Sequence, residues 1–279
     1  MNAATNSTAP ATARAERQIL TPTNLQDALA MRAEHPDATV INGGTDLMVD
    51  INYRRRAPEL LLDLGRVAEL RRRDREGDVL RIGAGVTFAT LEGPPFLTTS
   101  PALSQAARTV GSQQIRNRGT LGGNLATCSP AGDGWPPLVA GLAEVEVASV
   151  RGRRRLAVSD FALGPKRSDL AADELIVRVT VPAPRGPQAF LKVGPRNSMV
   201  ISIASLAVII DTERGELRAA YGSAGPVVGM VRLPLADARD LPDAVADACS
   251  PIDDVRGSAD YRRQALRVLA ARAVERCLR

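Results

Sequence analysis

Hydrophobic positions first recur at helical spacing between Asn24 and Glu34. Leu25, Ala28, Leu29 and Met31 share one stripe there, with Thr23 placed to cap the N-terminus. The short run "ATVI" then leads as a strand into "NGGTD", and "ELLLDL" supplies another strand. "LRRRDREGDVLRIGAG" alternates around Glu76–Gly77 as a hairpin does, and "PALSQAARTVG" has helical spacing that Gly111 would stop. A second glycine-containing stretch, "RGTLGGNLATCSPAGD", reads as a loop. The short helix "PPLVAGLA", opened by Pro136 and Pro137, and the strand "EVEVASV" come after it. "PAPRGP", near residues 182–187, has linker chemistry. Beyond it, "AFLKVG", "VISIASLAVII" and "ELRAAYGSAG" are strand-like, and helices are predicted over about 235–248 and 261–277. Strands followed by helices indicate an α+β tail.

This pattern divides the chain into a disordered lead over 1–16, a domain over 17–184 with two parts meeting near 60, and a C-terminal domain over 185–279. At 279 residues there is material for separate cores, and an apolar fraction of 44% is ordinary for a globular chain. The longest apolar run, "VISIASLAVII", is about half of what a membrane span needs. The opening segment lacks the apolar core of a signal peptide, so the expected compartment is the cytoplasm.

Net charge is +5, carried almost wholly by arginine; Lys166 and Lys192 are the only lysines. Arginines cluster at Arg54–Arg56, at Arg71–Arg73 and in "RGRRR" from Arg151 to Arg155. With aromatics at 3% and no recognition module, these read as solvated turns or partner-facing patches rather than a nucleic-acid surface. Cys128, Cys249 and Cys277 are too far apart for an iron–sulfur or zinc site. The single histidine, His35, in a helix-to-strand turn, argues against a Ser-His-Asp triad. Catalytic chemistry, if present, therefore comes from a cofactor.

The two glycine stretches are where such a group would sit. Glycine admits positive φ and close main-chain approach, and successive N–H groups form a nest for phosphate oxygens. Neither stretch is a P-loop or a GxGxxG fingerprint. Thr45, Thr120 and Asn124 add polar side chains, so the residues by themselves indicate an anionic ligand of nucleotide type.

"INGGTDL" and, more specifically, "QIRNRGTLGGNLATCSPAGD" with "GWPPL" resemble the two flavin segments of the FAD-binding medium subunits of molybdenum hydroxylases, the xanthine dehydrogenase and carbon monoxide dehydrogenase group. "GPKRSDLAADELIVRVTVP", "FLKVGPRNSMVISIASLAV" and "PIDDVRGSADYRR" are similar to that family's later segments, in order, so the resemblance spans almost the whole chain. It implies an α+β fold of the vanillyl-alcohol-oxidase/PCMH type in two subdomains, followed by an α+β C-terminal domain. It further implies that Ile41, Asn42, Gly43, Gly44, Thr45, Asp46 and Leu47 wrap the FAD diphosphate from the first segment, and that Thr120, Gly122, Gly123 and Asn124 approach from the second. Thr127 would lie toward the flavin, Asp133 would bind a ribose, Ile176 would pack near the flavin, and Lys192 would stand beside it.

FAD is expected to be non-covalent, since His35 precedes the first segment. No residue of this chain is expected to be catalytic or to bind metal. Molybdenum cofactor and [2Fe-2S] clusters would belong to a large and a small partner subunit, in a dimer of heterotrimers. The implied function is electron transfer from the iron–sulfur subunit through FAD to an external acceptor. A free-standing FAD oxidase and a basic binding module are the rival readings.

Overall fold

A computed structural model describes residues 17–183 and 185–279. The expected lead over 1–16 and Pro184 of the linker lie outside the described residues. Along the chain the strands are β1 (Gln18–Leu20), β2 (Thr39–Ile41), β3 (Leu60–Asp63), β4 (Arg73–Glu76), β5 (Val79–Gly83), β6 (Glu144–Ser149) and β7 (Gly152–Ala157). A small hairpin, β8 (Ala162–Gly164) and β9 (Arg167–Ser168), precedes β10 (Leu175–Pro182). The last four are β11 (Gln188–Val193), β12 (Ala204–Asp211), β13 (Glu216–Gly222) and β14 (Gly229–Pro234).

Three larger sheets result. The first is parallel, in the order β1-β3-β2, with helix Leu25–Glu34 as the crossover from β1 to β2. That helix is capped one residue later than expected: Asn24, not Thr23, accepts the Asp27 amide at 2.9 Å. The second sheet is antiparallel, in the order β4-β5-β10-β6-β7. Its β4–β5 hairpin turns at Gly77, where φ is +57°. "RGRRR" is only partly a turn, because Gly152 opens β7 and Arg153–Arg155 lie along that edge strand.

The third sheet is the meander β11-β12-β13-β14. Every residue of β12 is buried because both faces of this sheet are covered. Leu206, Val208 and Ile210 pack with Leu241, Val245, Leu266 and Ala270 of the terminal helices. Ala207 and Ile209 belong to the core that runs back through the two N-terminal sheets. Alternation is lost where both faces are dry, so "SLAVII" reads as a continuous apolar run. "VISI" does not join it; β12 starts at Ala204, and Ile201 is exposed.

The helix predicted over about 235–248 is two pieces, a 3₁₀ segment at Leu235–Asp240 and an α-helix at Leu241–Ala248. Pro242 explains the break: it has no amide to donate within a helix and suits the first turn of a new one. Glutamines tie the N-terminal region to the third sheet. Gln105 on helix Pro101–Thr109 accepts the Phe190 amide at 2.8 Å, and the Ala102 amide donates to Gln188 at 3.3 Å.

Candidate functional site

A cleft of about 410 Å³ opens between the first two sheets, lined by Asn42 and Gly43 from the first segment and by Thr87, Arg118 and Thr120. Leaving β2, the chain turns through Asn42–Asp46 and enters helix Leu47–Asn52. Gly44 takes a φ of +76°, and a Cβ on Gly43 would stand 2.0 Å from the Arg118 carbonyl oxygen. The first segment is thus pressed against the main chain of the second. Within it, the amides of Gly43, Gly44, Thr45 and Asp46 donate to no acceptor among the described residues. Four successive unspent N–H groups beyond the end of a strand leave donors available to an anion. Ile41 packs under Gly44, Leu47 is buried, and Asp46 is exposed without forming a side-chain cap.

The second segment differs from its sequence reading. "LGGNLAT" is a helix, Leu121–Thr127, capped by Thr120. Its leading amides are already engaged: Leu121 donates to Val86 O at 2.9 Å, Gly122 to Ala84 O at 2.8 Å and Gly123 to Thr120 Oγ1 at 3.1 Å. Gly122 is buried, and a Cβ there would stand 2.6 Å from that of Ala84. The missing side chain lets the helix contact the turn after β5. Gly123 is exposed. Thr127 Oγ1 donates back to Gly123 O at 2.9 Å. Asn124 Oδ1 is buried without a donor among the described residues, an orphan that a native interior rarely leaves.

Asp133 and Lys192, expected separately at the ribose and beside the flavin, are partners of each other. Their charged atoms lie 2.5 Å apart, with side chains 5% and 7% exposed. Asp133 also accepts Thr109 Oγ1 at 3.1 Å and Ser202 Oγ at 2.5 Å, while Lys192 also donates to Thr109 O at 3.1 Å. Burial pushes the Asp133 carboxyl above its ordinary range, and the Lys192 ammonium, then Ser202 and Thr109, pull it back. The group joins the Asp133 loop to β11 and to the approach to β12. Ile176 is buried in β10, at the bulge between Ile176 and Arg178. Of the fifteen residues, Asn42, Gly43 and Thr120 line the cleft. Ile41, Gly44, Thr45, Asp46 and Leu47 are not in the lining and flank Asn42 and Gly43 in the chain.

Arg71, Arg73, Asn117, Arg118 and Thr90 also line the cleft and were not among the sequence candidates. The sequence carries a usable signal, since Arg118 lies inside the "RNRGTLGG" motif and Arg71–Arg73 form a cluster. A solvated turn or partner-facing patch is the expectation for that cluster, whereas the fold puts Arg71 and Arg73, the first residue of β4, in the cleft lining. Cys128 is buried, and desolvation raises its thiol to about 11, so it is an inert filler here.

Comparison with known proteins extends this picture. Residues 14–184 match the family described as FAD binding domain in molybdopterin dehydrogenase. The chain is 34% identical to the nicotine 6-hydroxylase medium subunit of Paenarthrobacter nicotinovorans over 91% of its length and 94% of that protein's. It is 37% identical to the nicotinate dehydrogenase FAD-subunit of Eubacterium barkeri, over 70% of this chain and 69% of that one. Among solved structures, a chain of carbon monoxide dehydrogenase from Hydrogenophaga pseudoflava superposes with a TM-score of 0.86 at 28% identity. That match covers 94% of this chain and 97% of that one.

Proposed function

The chain belongs to the FAD-binding family of the molybdopterin dehydrogenases, and from that premise we propose that it holds FAD with its diphosphate in the cleft between the first two sheets. It is the FAD-carrying electron-transfer subunit of a heteromeric molybdenum hydroxylase, acting with small and large partner subunits. When bound, FAD supplies the redox chemistry, accepting electrons singly and passing them on to an external acceptor. The residues supply position and electrostatics.

The observation that carries the site assignment is the row of unspent amides from Gly43 to Asp46, which begins at a residue lining the cleft. Each N–H donated to a phosphate oxygen contributes about 1.5–3 kcal/mol, so several hold a diphosphate without lysine. The bare Gly43 keeps the two walls in contact, and Thr120 fixes the start of the opposite helix. Asn124 Oδ1 is suited to accept a ligand hydroxyl, which would satisfy the orphan. Gly122 and the Asp133–Lys192 pair act behind the site, holding the helix and the adjoining loop. Thr127 and Ile176 are assigned to the flavin end through the family resemblance.

Attachment is non-covalent in this reading: His35 ends helix Leu25–Glu34 and does not line the cleft. We further assign the assembly as a dimer of heterotrimers in the cytoplasm; no helix of the described residues is long and apolar enough to cross a membrane. The test is flavin content and release. The purified chain should carry one FAD per chain, and acid precipitation should free all of it into the supernatant. Colour left in the pellet would overturn the non-covalent reading, and a chain that takes up no FAD would overturn the site.

A further inference from the structure

Arginine is the dominant cation throughout, yet its clusters meet different fates. In "RGRRR" every guanidinium is paired: Arg151 with Asp173, Arg153 and Arg155 with Glu146, Arg154 with Asp169 and Glu174. Arg116, two residues before Arg118, lies 2.5 Å from Glu92. At the cleft the pattern reverses. Arg71, Arg73 and Arg118 have no carboxylate within 4.0 Å among the described residues, and the lining contains no acid. Asp63, beside the lining residue Gly65, is engaged in capping, with its Oδ1 on the Gly65 amide at 2.8 Å. Arg71 donates one N–H to the carbonyl of Gly65, another lining residue, and its other donors remain available.

We propose that Arg71, Arg73 and Arg118 form a guanidinium clamp that binds the diphosphate of the dinucleotide in the cleft that Gly43 also lines. The proposal rests on the flavin assignment above and deepens it, because it adds cations to the free amides named there. Three cations facing one cleft with no internal counter-charge repel each other, and an anion relieves that repulsion. Guanidinium is weakly hydrated and presents paired donors that match phosphate oxygens, so it gives up little on binding them. The cleft walls limit solvent screening and strengthen the field at the anion. The arrangement also discriminates. A flavin that lacks the diphosphate gains nothing from the clamp, so the arginines set the preference for the dinucleotide over riboflavin.

The test titrates the flavin-free full-length chain with FAD, riboflavin and inorganic pyrophosphate at low and high KCl. Arg73→Gln and Arg118→Gln should each raise the Kd for FAD roughly tenfold, the scale of one lost charged hydrogen bond. Both should flatten its salt dependence, weaken pyrophosphate in parallel and leave riboflavin unchanged. Lysine at either position should recover part of the loss and restore the salt dependence. FAD affinity and salt slope unchanged in both glutamine variants would overturn the clamp, as would an equal loss of riboflavin, which marks general damage. A chain that binds pyrophosphate through these arginines but takes no FAD would keep the clamp and overturn the flavin reading. Arginine-independent FAD binding would do the reverse.

Discussion

At the scale of single residues, Gly43 and the Asp133–Lys192 pair make the most direct predictions. Gly43 has no room for a side chain, because the obstacle is the Arg118 carbonyl, a backbone atom that cannot swing aside. Gly43→Ala therefore separates the two walls of the cleft, and FAD titration should show at least a tenfold weaker Kd. Affinity equal to the parent's would place the diphosphate elsewhere. Gly44 is limited differently, by a φ of +76° that costs an L-residue about 1–2 kcal/mol. The sequence revealed these two positions because their chemistry is local. It did not reveal that Asp133 and Lys192 meet, since 59 residues separate them and only the docking of β11 joins them. Lys192→Met should leave a buried carboxylate without its cation, at a cost of about 3–5 kcal/mol near neutral pH. The sign with pH follows from burial. Removing the ammonium raises the Asp133 pKa further, so the variant's deficit is largest at high pH and shrinks as acid neutralises the carboxyl. Urea midpoints for parent and variant at several pH values would show this, and a pH-independent difference would refute it.

At the scale of elements, most strands were legible because periodicity and turn chemistry agreed, as in the β4–β5 hairpin. The Leu121–Thr127 helix was not legible. Paired glycines disfavour helix by about 1 kcal/mol each, and here a tertiary contact overrides that preference. Gly122→Ala should push the helix off Ala84, costing about 1–3 kcal/mol as overpacking does. Gly123→Ala meets only the Thr120 hydroxyl at 3.0 Å, on an exposed helical position, and should be neutral or stabilising. Thermal melts of the two variants would separate these cases, and similar losses would contradict the packing account.

Helix Ala259–Leu278 is seated by a comparable device. Arg262, 1% exposed, donates to Ile203 O at 2.6 Å, to Ser223 O at 2.9 Å and to Asp254 at 2.6 Å. Arg262→Met should cost about 3–5 kcal/mol, measured by denaturant unfolding, because acceptors and a counter-ion lose one buried partner together. Asp254 is held down to about 2, by Arg256 first and by Arg262 among the lesser causes. Its contribution is complete above the ordinary 3.8 and disappears as pH falls through about 2.

The whole molecule joins a flavin region to a C-terminal sheet packed against it, and neither supplies cluster or molybdenum ligands in this reading. Two consequences follow from the proposed place in a relay. The substrate is oxidised in another subunit, so this chain needs no acid or base directed at it. Electrons must also arrive from a docked neighbour, so flavin loading and flavin reduction are separable properties of the isolated chain. FAD binding should survive isolation, because the free amides and the arginines all belong to this chain. Substrate-driven reduction should not survive, because it depends on the iron–sulfur and molybdenum partners. The measurement is stopped-flow absorbance of the flavin band with one substrate, for the assembled complex and for the FAD-loaded chain alone. Bleaching is expected in the complex only, and a chemical reductant should bleach both. Equal substrate-driven bleaching in the isolated chain would mean that substrate reaches the flavin directly, and the chain would then be an oxidase in its own right.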